Sequence, residues 1–494
     1  MALRVLFNLL MVAVGPIALA EVSAEAEGLP HLLNLAAAQR IALRDNPSLK
    51  AAAARVEQAK RRVEQARSAF FPNVGAGWSV AETHLDENSY GAARRQATAG
   101  PLNAAASAAT FPRSASPYPL LAAIDSSVYP AVKAARARNA VDDDITTYGA
   151  SLSAHWLLFD GLAREFTYAA ARFGAQESEA AHLEAKRLLL SAVASTYYGV
   201  ALAREEMHVA EADEAFNERL VTEAKARREA GAGSLSDALN FEVRMNGARA
   251  ARIRAEQAYA MAMVGLAELL ALPESAFPQG TELAPLEEET SADLAVPDVE
   301  TLVERALTQR PDLRLSEHAL ARNDRIARAR RGALFPEVSA TAAKTAQSVE
   351  DSHINEDDFS TVVGLNVSYT LFAGGRNRAQ WAEAQAAREE ARHNLHQAEL
   401  TVVADVRGAA ERLTSAQKQL VLQRANADLV QRNRDLVEKE YRAGQASLVR
   451  LNEAQKDLTT AQGQLALARV TVQQAWHDLR TATAEILEPI SRAE

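Results

Sequence analysis

The sequence predicts a mainly helical protein with a small antiparallel β part, built twice within one chain. Three observations predict it. Only 5% of the 494 residues are aromatic and alanine is abundant, which suits long, closely packed helices. Short stretches alternate apolar and polar residues, the period of a strand with one apolar face. The motifs around these stretches recur in order. Pro47 and Pro311, like Phe71-Pro72 and Phe335-Pro336, lie 264 residues apart, whereas Trp156 and Tyr369, like Gly231 and Gly444, lie 213 apart. Constant offsets over long stretches mark an internal repeat.

The elements follow from the N-terminus. Residues 1–20 read as a secretory signal: Arg4 gives a positive charge, Val5 to Val14 is mostly apolar, and Ala18-Leu19-Ala20 is a small-x-small cleavage site. Maturation is therefore expected to expose Glu21. The first repeat, residues 21–270, opens with a short helix over Leu32–Leu43 that ends at Asn46-Pro47, then an alanine-rich, charged helix over Ser48–Ala69. Phe71-Pro72 breaks that helix, and Val74, Ala76, Trp78 and Val80 alternate with small or polar residues as a strand. The segment 85–144, rich in Ala, Ser and Pro and without a period, reads as an inserted loop whose removal should leave folding intact. Tyr148 to Phe159 is the return strand, with Tyr148, Ala150, Leu152, Ala154, Trp156 and Leu158 on one face.

Residues 161–230 contain no proline and read as one very long helix, about 105 Å at the usual rise. After a break at Gly231, Leu239, Val243, Asn246, Ala250, Ile253 and Gln257 recur at steps of four and three, a coiled-coil seam. Residues 271–298, with Glu287-Glu288-Glu289, read as a solvated acidic linker. The second repeat, residues 299–494, restates the first. Its hairpin pairs Val338–Ala342 with Val363–Phe372 across a polar stretch, Gln347–Asp358. Its long helix runs over 374–443, with Leu422, Leu429 and Leu436 every seven residues.

Composition excludes several kinds of chemistry. The chain has no cysteine, so it offers no disulfide framework, thiolate metal site or catalytic thiol. Its net charge of −10 argues against nucleic acid as a partner. No phosphate loop and no nucleophile–base set is legible, so no enzyme and no cofactor is expected. His393 and His396 stand three apart on a helix, a spacing open to a metal but read as a solvated face. No stretch approaches a transmembrane helix. The strands instead carry an apolar-out, polar-in pattern, and Trp78, Tyr148, Trp156 and Tyr369 could supply an interfacial girdle. A soluble sheet over a core is the alternative reading of that pattern.

A signal peptide, two helix–hairpin–helix halves, the Asn46-Pro47 and Arg310-Pro311 breaks, Phe-Pro before each first strand, and Tyr441-Arg442-Ala443-Gly444 before the last helix together resemble the TolC family. The resemblance implies a trimeric outer-membrane channel with a periplasmic α-helical tunnel, docked to a periplasmic adaptor protein and an inner-membrane pump or ABC exporter. Such a channel serves efflux or type I secretion and passes small molecules or polypeptides. Strand arithmetic agrees: four strands per chain are too few for a barrel, so the barrel must be shared between copies. The alternative is a periplasmic coiled-coil adaptor or scaffold, which leaves four lipid-patterned strands unexplained. The resemblance also places an entrance gate at the two breaks. By that alignment Tyr441 matches a gate tyrosine, Ser236 and Asp237 a hydroxyl–acid pair, and Arg450 and Glu453 fall on entrance acids. The gate arginine falls on Ala446, so an Asp237–Arg450 contact is expected to replace its bond, with Glu453 as an acidic ring.

Overall fold

The computed structural model describes residues 31–84, 144–230, 234–278, 280–286, 289–290, 294–295, 297–349 and 353–488. The expected signal peptide, the inserted loop up to residue 143 and the break at Gly231 lie outside the described residues.

The helices come as matched pairs. Helix α1 (Leu35–Asp45) and α2 (Pro47–Ser68) precede strands β1 (Asn73–His84) and β2 (Asp144–Phe159), followed by α3 (Ala163–Glu229) and α4 (Leu235–Leu269). The second half restates them as α5 (Val299–Gln309), α6 (Pro311–Gly332), β3 (Glu337–Val349), β4 (Phe359–Ser368), α7 (Arg376–Arg442) and α8 (Leu448–Ala482). Helices α3 and α7 are both 67 residues long, about 100 Å, and α4 and α8 are both 35. The repeat is thus one of three-dimensional elements. No helix among the described residues is long and apolar enough to cross a membrane.

Local chemistry sets the breaks. Pro47 and Pro311 sit in the first helical turn, where a missing N–H costs nothing, and force the preceding residue out of the helical region. Ser234 and Ser447 cap α4 and α8, accepting from the backbone N–H of Ser236 and Arg450 at 3.1 and 3.3 Å. Gly444 ends α7 at φ +74°, and Gln445 N–H then reaches back to Glu440 O at 2.8 Å.

The strands form one antiparallel sheet in the order β1-β2-β3-β4, so the two hairpins join through β2 and β3. Trp78 lies opposite Ala150, Leu152 opposite Lys344, and Ala340 opposite Leu365. Val74, Trp78, Leu152, Trp156, Val363, Leu365 and Val367 on the alternating apolar face are exposed. Two expected strand ends move. β3 runs on to Val349, into the stretch read as loop, because backbone pairing with β2 continues where the apolar pattern fails. β4 stops at Ser368, short of Phe372, as pairing with β3 begins at Glu337.

Two cores lie where the short helices meet the long ones. Ala42, Val193 and Leu266 belong to one; their repeat mates Ala306, Val406 and Leu479 belong to the other. Helix α6 packs against both α3 and α7, and α8 against α3, so the halves are interleaved.

The linker differs from expectation. Its Glu282–Leu283 pairs in parallel with Leu32–Leu33, and Leu283 is buried. The Glu289 side chain is 1% exposed and bridges Arg424 of α7 at 2.5 Å and Arg469 of α8 at 2.9 Å. A carboxylate removed from water needs such partners. This part of the linker is a docked strap rather than a solvated tether.

Candidate functional site at the hairpin tips

The end of α3 and the start of α4, like the α7–α8 turn, lie at the far end of the 67-residue helices from the sheet. They bring together four helix ends around a small core of Phe216, Leu220, Ala238, Phe241, Val437 and Leu451, with Tyr441 packed against it. Every expected gate residue falls on this tip. Ser236 and Asp237 stand in the first turn of α4, Arg450 and Glu453 in the first turns of α8, and Tyr441 in the last turn of α7.

Tyr441 is the organised member. Phe241 meets its ring edge-on at a centroid distance of 6.2 Å, and the Arg227 guanidinium lies over it at 5.4 Å. Burial pushes its hydroxyl above the usual phenol value; Arg227 opposes that rise, while Asp237 and Glu223 add to it. Glu223 also takes Arg227 at 2.8 Å and lies 3.9 Å from Arg442.

The Asp237–Arg450 contact is different. Among the described residues no ion pair joins them within the chain. Arg450 Nη1 instead lies 3.2 Å from Glu440 Oε2. Glu440 closes the end of α7, directly across the Gly444 turn from the start of α8, so it is the nearer carboxylate. Equal depth in the repeat does not bring Asp237 and Arg450 side by side. The contact is an ion pair without hydrogen-bond alignment, between partly exposed groups of the kind worth about 0–1 kcal/mol. Glu453 and Ser236 are exposed on the tip surface.

Sequence reading missed Phe241, Arg227 and Glu440. Their signal was positional: Phe241 falls on the core side of α4, and Glu440 and Arg227 fall in last turns beside a break. The pair His393 and His396 is not drawn into a site; His396 Nδ1 lies 3.2 Å from Glu399.

The outer membrane efflux protein family matches residues 39–272 and 302–485, one stretch in each repeat. The pyoverdine export outer membrane protein OpmQ of Pseudomonas aeruginosa is 26% identical over 333 residues, 67% of this chain and 69% of that protein. Protein CyaE of Bordetella pertussis is 28% identical over 298 residues, 58% of this chain and 62% of that one. The fold is similar to that of the CmeC outer membrane channel of Campylobacter jejuni, with a TM-score of 0.73 at 16% identity over 93% of this chain and 88% of that one. The repeat, the sheet with its exposed apolar face and the long paired helices are thus those of a known architecture, and the chain belongs to the outer membrane efflux protein family and to the outer membrane.

Proposed function

We propose that three copies of this chain assemble into an outer-membrane exit duct. The observation that carries this reading is the sheet. It has four strands, two free edges in β1 and β4, and an exposed apolar face. Four strands cannot close, and open edges are not tolerated in lipid. Three copies give twelve strands in one barrel, and the long helices continue it as a tunnel into the periplasm. The inner face suits a wet lumen, since it carries Gly75, Gly77, Ser151, Ser153 and Thr341. The exposed faces of α4, with Leu239, Val243 and Ile253, and of α7, with Leu422, Leu429 and Leu436, supply seams for neighbouring helices.

The tips are the entrance, where a periplasmic adaptor and an inner-membrane pump or ABC exporter would dock. Tyr441, Asp237 and Ser236 narrow it, Arg450 and Glu440 brace the α7–α8 turn, and Glu453 provides an acidic ring. An Asp237–Arg450 contact is kept for the seam between copies. The cargo class is a small molecule or a polypeptide; similarity to a protein named for pyoverdine export favours the former. A periplasmic adaptor or scaffold has no use for the exposed apolar sheet.

Reconstitution into planar bilayers tests the reading. Purified protein should need detergent for extraction, run as an assembly of three chains and give discrete conductance steps. Release from membranes by salt, or bilayers without steps, would refute it.

A further inference from the structure

Among the described residues one lysine or arginine stands on the apolar face of the sheet, with Glu82 of β1 on the same face nearer the loop end. Lys344 of β3 lies opposite Leu152 of β2 and Thr361 of β4, and Leu152 lies opposite Ala76 of β1. Every other member of that row is uncharged. The next row toward the loop end is Trp78, Ala150, Ala346 and Phe359. The Lys344 ammonium leans into this second row, 4.9 Å from the centre of the Phe359 ring. Helixward of it, Val363 and Leu365 are 78% and 67% exposed. Among the described residues no carboxylate pairs with Lys344.

Lys344 is not at a seam. β3 is an inner strand, and copies can meet only through the edges β1 and β4. Its surroundings are lipid on the reading proposed above, on which this inference rests. A lysine on a lipid face is costly at depth and becomes tolerable as its ammonium reaches the headgroups. The aromatic residues Trp78 and Phe359 mark that level, and the ring face of Phe359 attracts the ammonium toward it. A cation held at headgroup depth by an aromatic ring, without a protein anion, is complementary to a lipid phosphate.

We propose that Lys344 and Phe359 form a binding site for the phosphate-bearing headgroup of an anionic lipid in the leaflet at the loop end of the sheet. Lys344 supplies the charge, Phe359 fixes the direction of its side chain, and Leu152, Ala342 and Val363 border the acyl chain below.

The test uses full-length protein carrying Trp156→Phe, so that Trp78 is the one tryptophan left on the apolar face. It is reconstituted into vesicles containing brominated phosphatidylglycerol or brominated phosphatidylcholine, and the quenched tryptophan fluorescence gives the relative association of each lipid. The protein should favour phosphatidylglycerol by about fivefold. Lys344→Arg should keep the preference and Lys344→Gln should remove it, with helical circular dichroism unchanged in both. Excess inorganic phosphate at matched ionic strength should leave the preference in place; its loss would mean a free-anion site and reject the lipid. Equal association of both lipids, or a preference that survives Lys344→Gln, would overturn the proposal. Quenching by neither lipid would instead show that the sheet is outside the bilayer, refuting the barrel reading and the site with it.

Discussion

The two halves of this chain make the same joints with exchanged chemistry. At the joint between short and long helices, Asn46 in the first half donates from Nδ2 to Leu269 O at 2.9 Å. Its repeat mate, Arg310, reaches the matching Ala482 O at 3.4 Å and is held by Asp312 at 2.6 Å and Asp405 at 2.9 Å. At the joint between helices and sheet the roles reverse. Arg164 in the first half donates to Ala69 O at 3.3 Å and to Leu158 O at 2.8 Å, whereas its mate Asn377 donates to the matching Ala333 O at 3.0 Å. The duplication has preserved which carbonyl is met at each joint; at the joint of short and long helices, where that carbonyl is partly or wholly buried, leaving it without a donor is costly. It has not preserved the donor. A guanidinium brings its own requirement for carboxylates, so each half is neutral at one joint and ionic at the other.

That comparison predicts an ordering. Arg310→Ala should have the largest effect, about 3–5 kcal/mol, because Arg310 is 3% exposed and its loss strands a partly buried Asp312. Asn46→Ala should cost about 1–2 kcal/mol, the loss of one cap and one satisfied carbonyl. Melting followed by helical circular dichroism orders the two; equal losses would break the comparison. The double variant Arg310→Asn with Asp312→Ser installs the first half's residues, Asn46 and Ser48, at the second joint. It should recover more than half of what Arg310→Ala loses.

Acid sharpens the same contrast. His477 is packed on Tyr198 at a ring distance of 5.4 Å. Burial, helped by the Arg480 charge, lowers its pKa to about 4. A folded value below the unfolded one of about 6.5 means the neutral ring is favoured in the fold. Stability is therefore whole above about pH 6.5 and declines as pH falls toward 4, by of order 2–3 kcal/mol. Asp312 acts in a lower window. Burial pushes it up, but the hydrogen bond and charge of Arg310 outweigh burial and hold it below its usual value. Its contribution is present above about pH 4 and is lost as pH falls through its folded pKa. His477→Val, which installs the residue found at the repeat position Val264, should remove the first decline and leave the second. A melting temperature falling equally in both proteins between pH 6.5 and 4 would count against this assignment.

The smallest effects belong to the tips, where the pairs are exposed. Arg450→Ala frees Glu440 and loosens the α7–α8 turn, so single-channel conductance should rise modestly, by about twofold or less for a pair worth ~0–1 kcal/mol. Glu453→Gln should lower cation preference without changing conductance as much. Wild-type values in both would remove these residues from the proposed gate.

Much of this arrangement was legible in the sequence because its signals are periodic. Pro47 and Pro311 fix the helix breaks, and alternation through Tyr148–Trp156 the central strand. What stayed hidden depends on contacts between residues far apart. Asp405 meets Arg310 across 95 positions, and Glu289 meets Arg424 across 135; no local pattern announces either. The strap Glu282–Leu283 is too short to show a period. At the tip Phe241, Arg227 and Glu440 were missed and the partner of Arg450 was misjudged, since repeat position predicts depth along the helices and not the neighbour that Arg450 meets.

The central claim, that edges β1 and β4 of successive copies close one barrel, can be tested directly because the chain contains no cysteine. β1 begins and β4 ends at the helix side of the sheet, so Ser79 of β1 should face positions near Val362 of β4 in the next copy. Ser79→Cys combined in turn with cysteine at positions 360, 362, 364 and 366 should, on mild oxidation in membranes, give covalent species of two and three chains at one register and nothing larger. Monomers at every position, or a ladder that continues beyond three, would contradict the account.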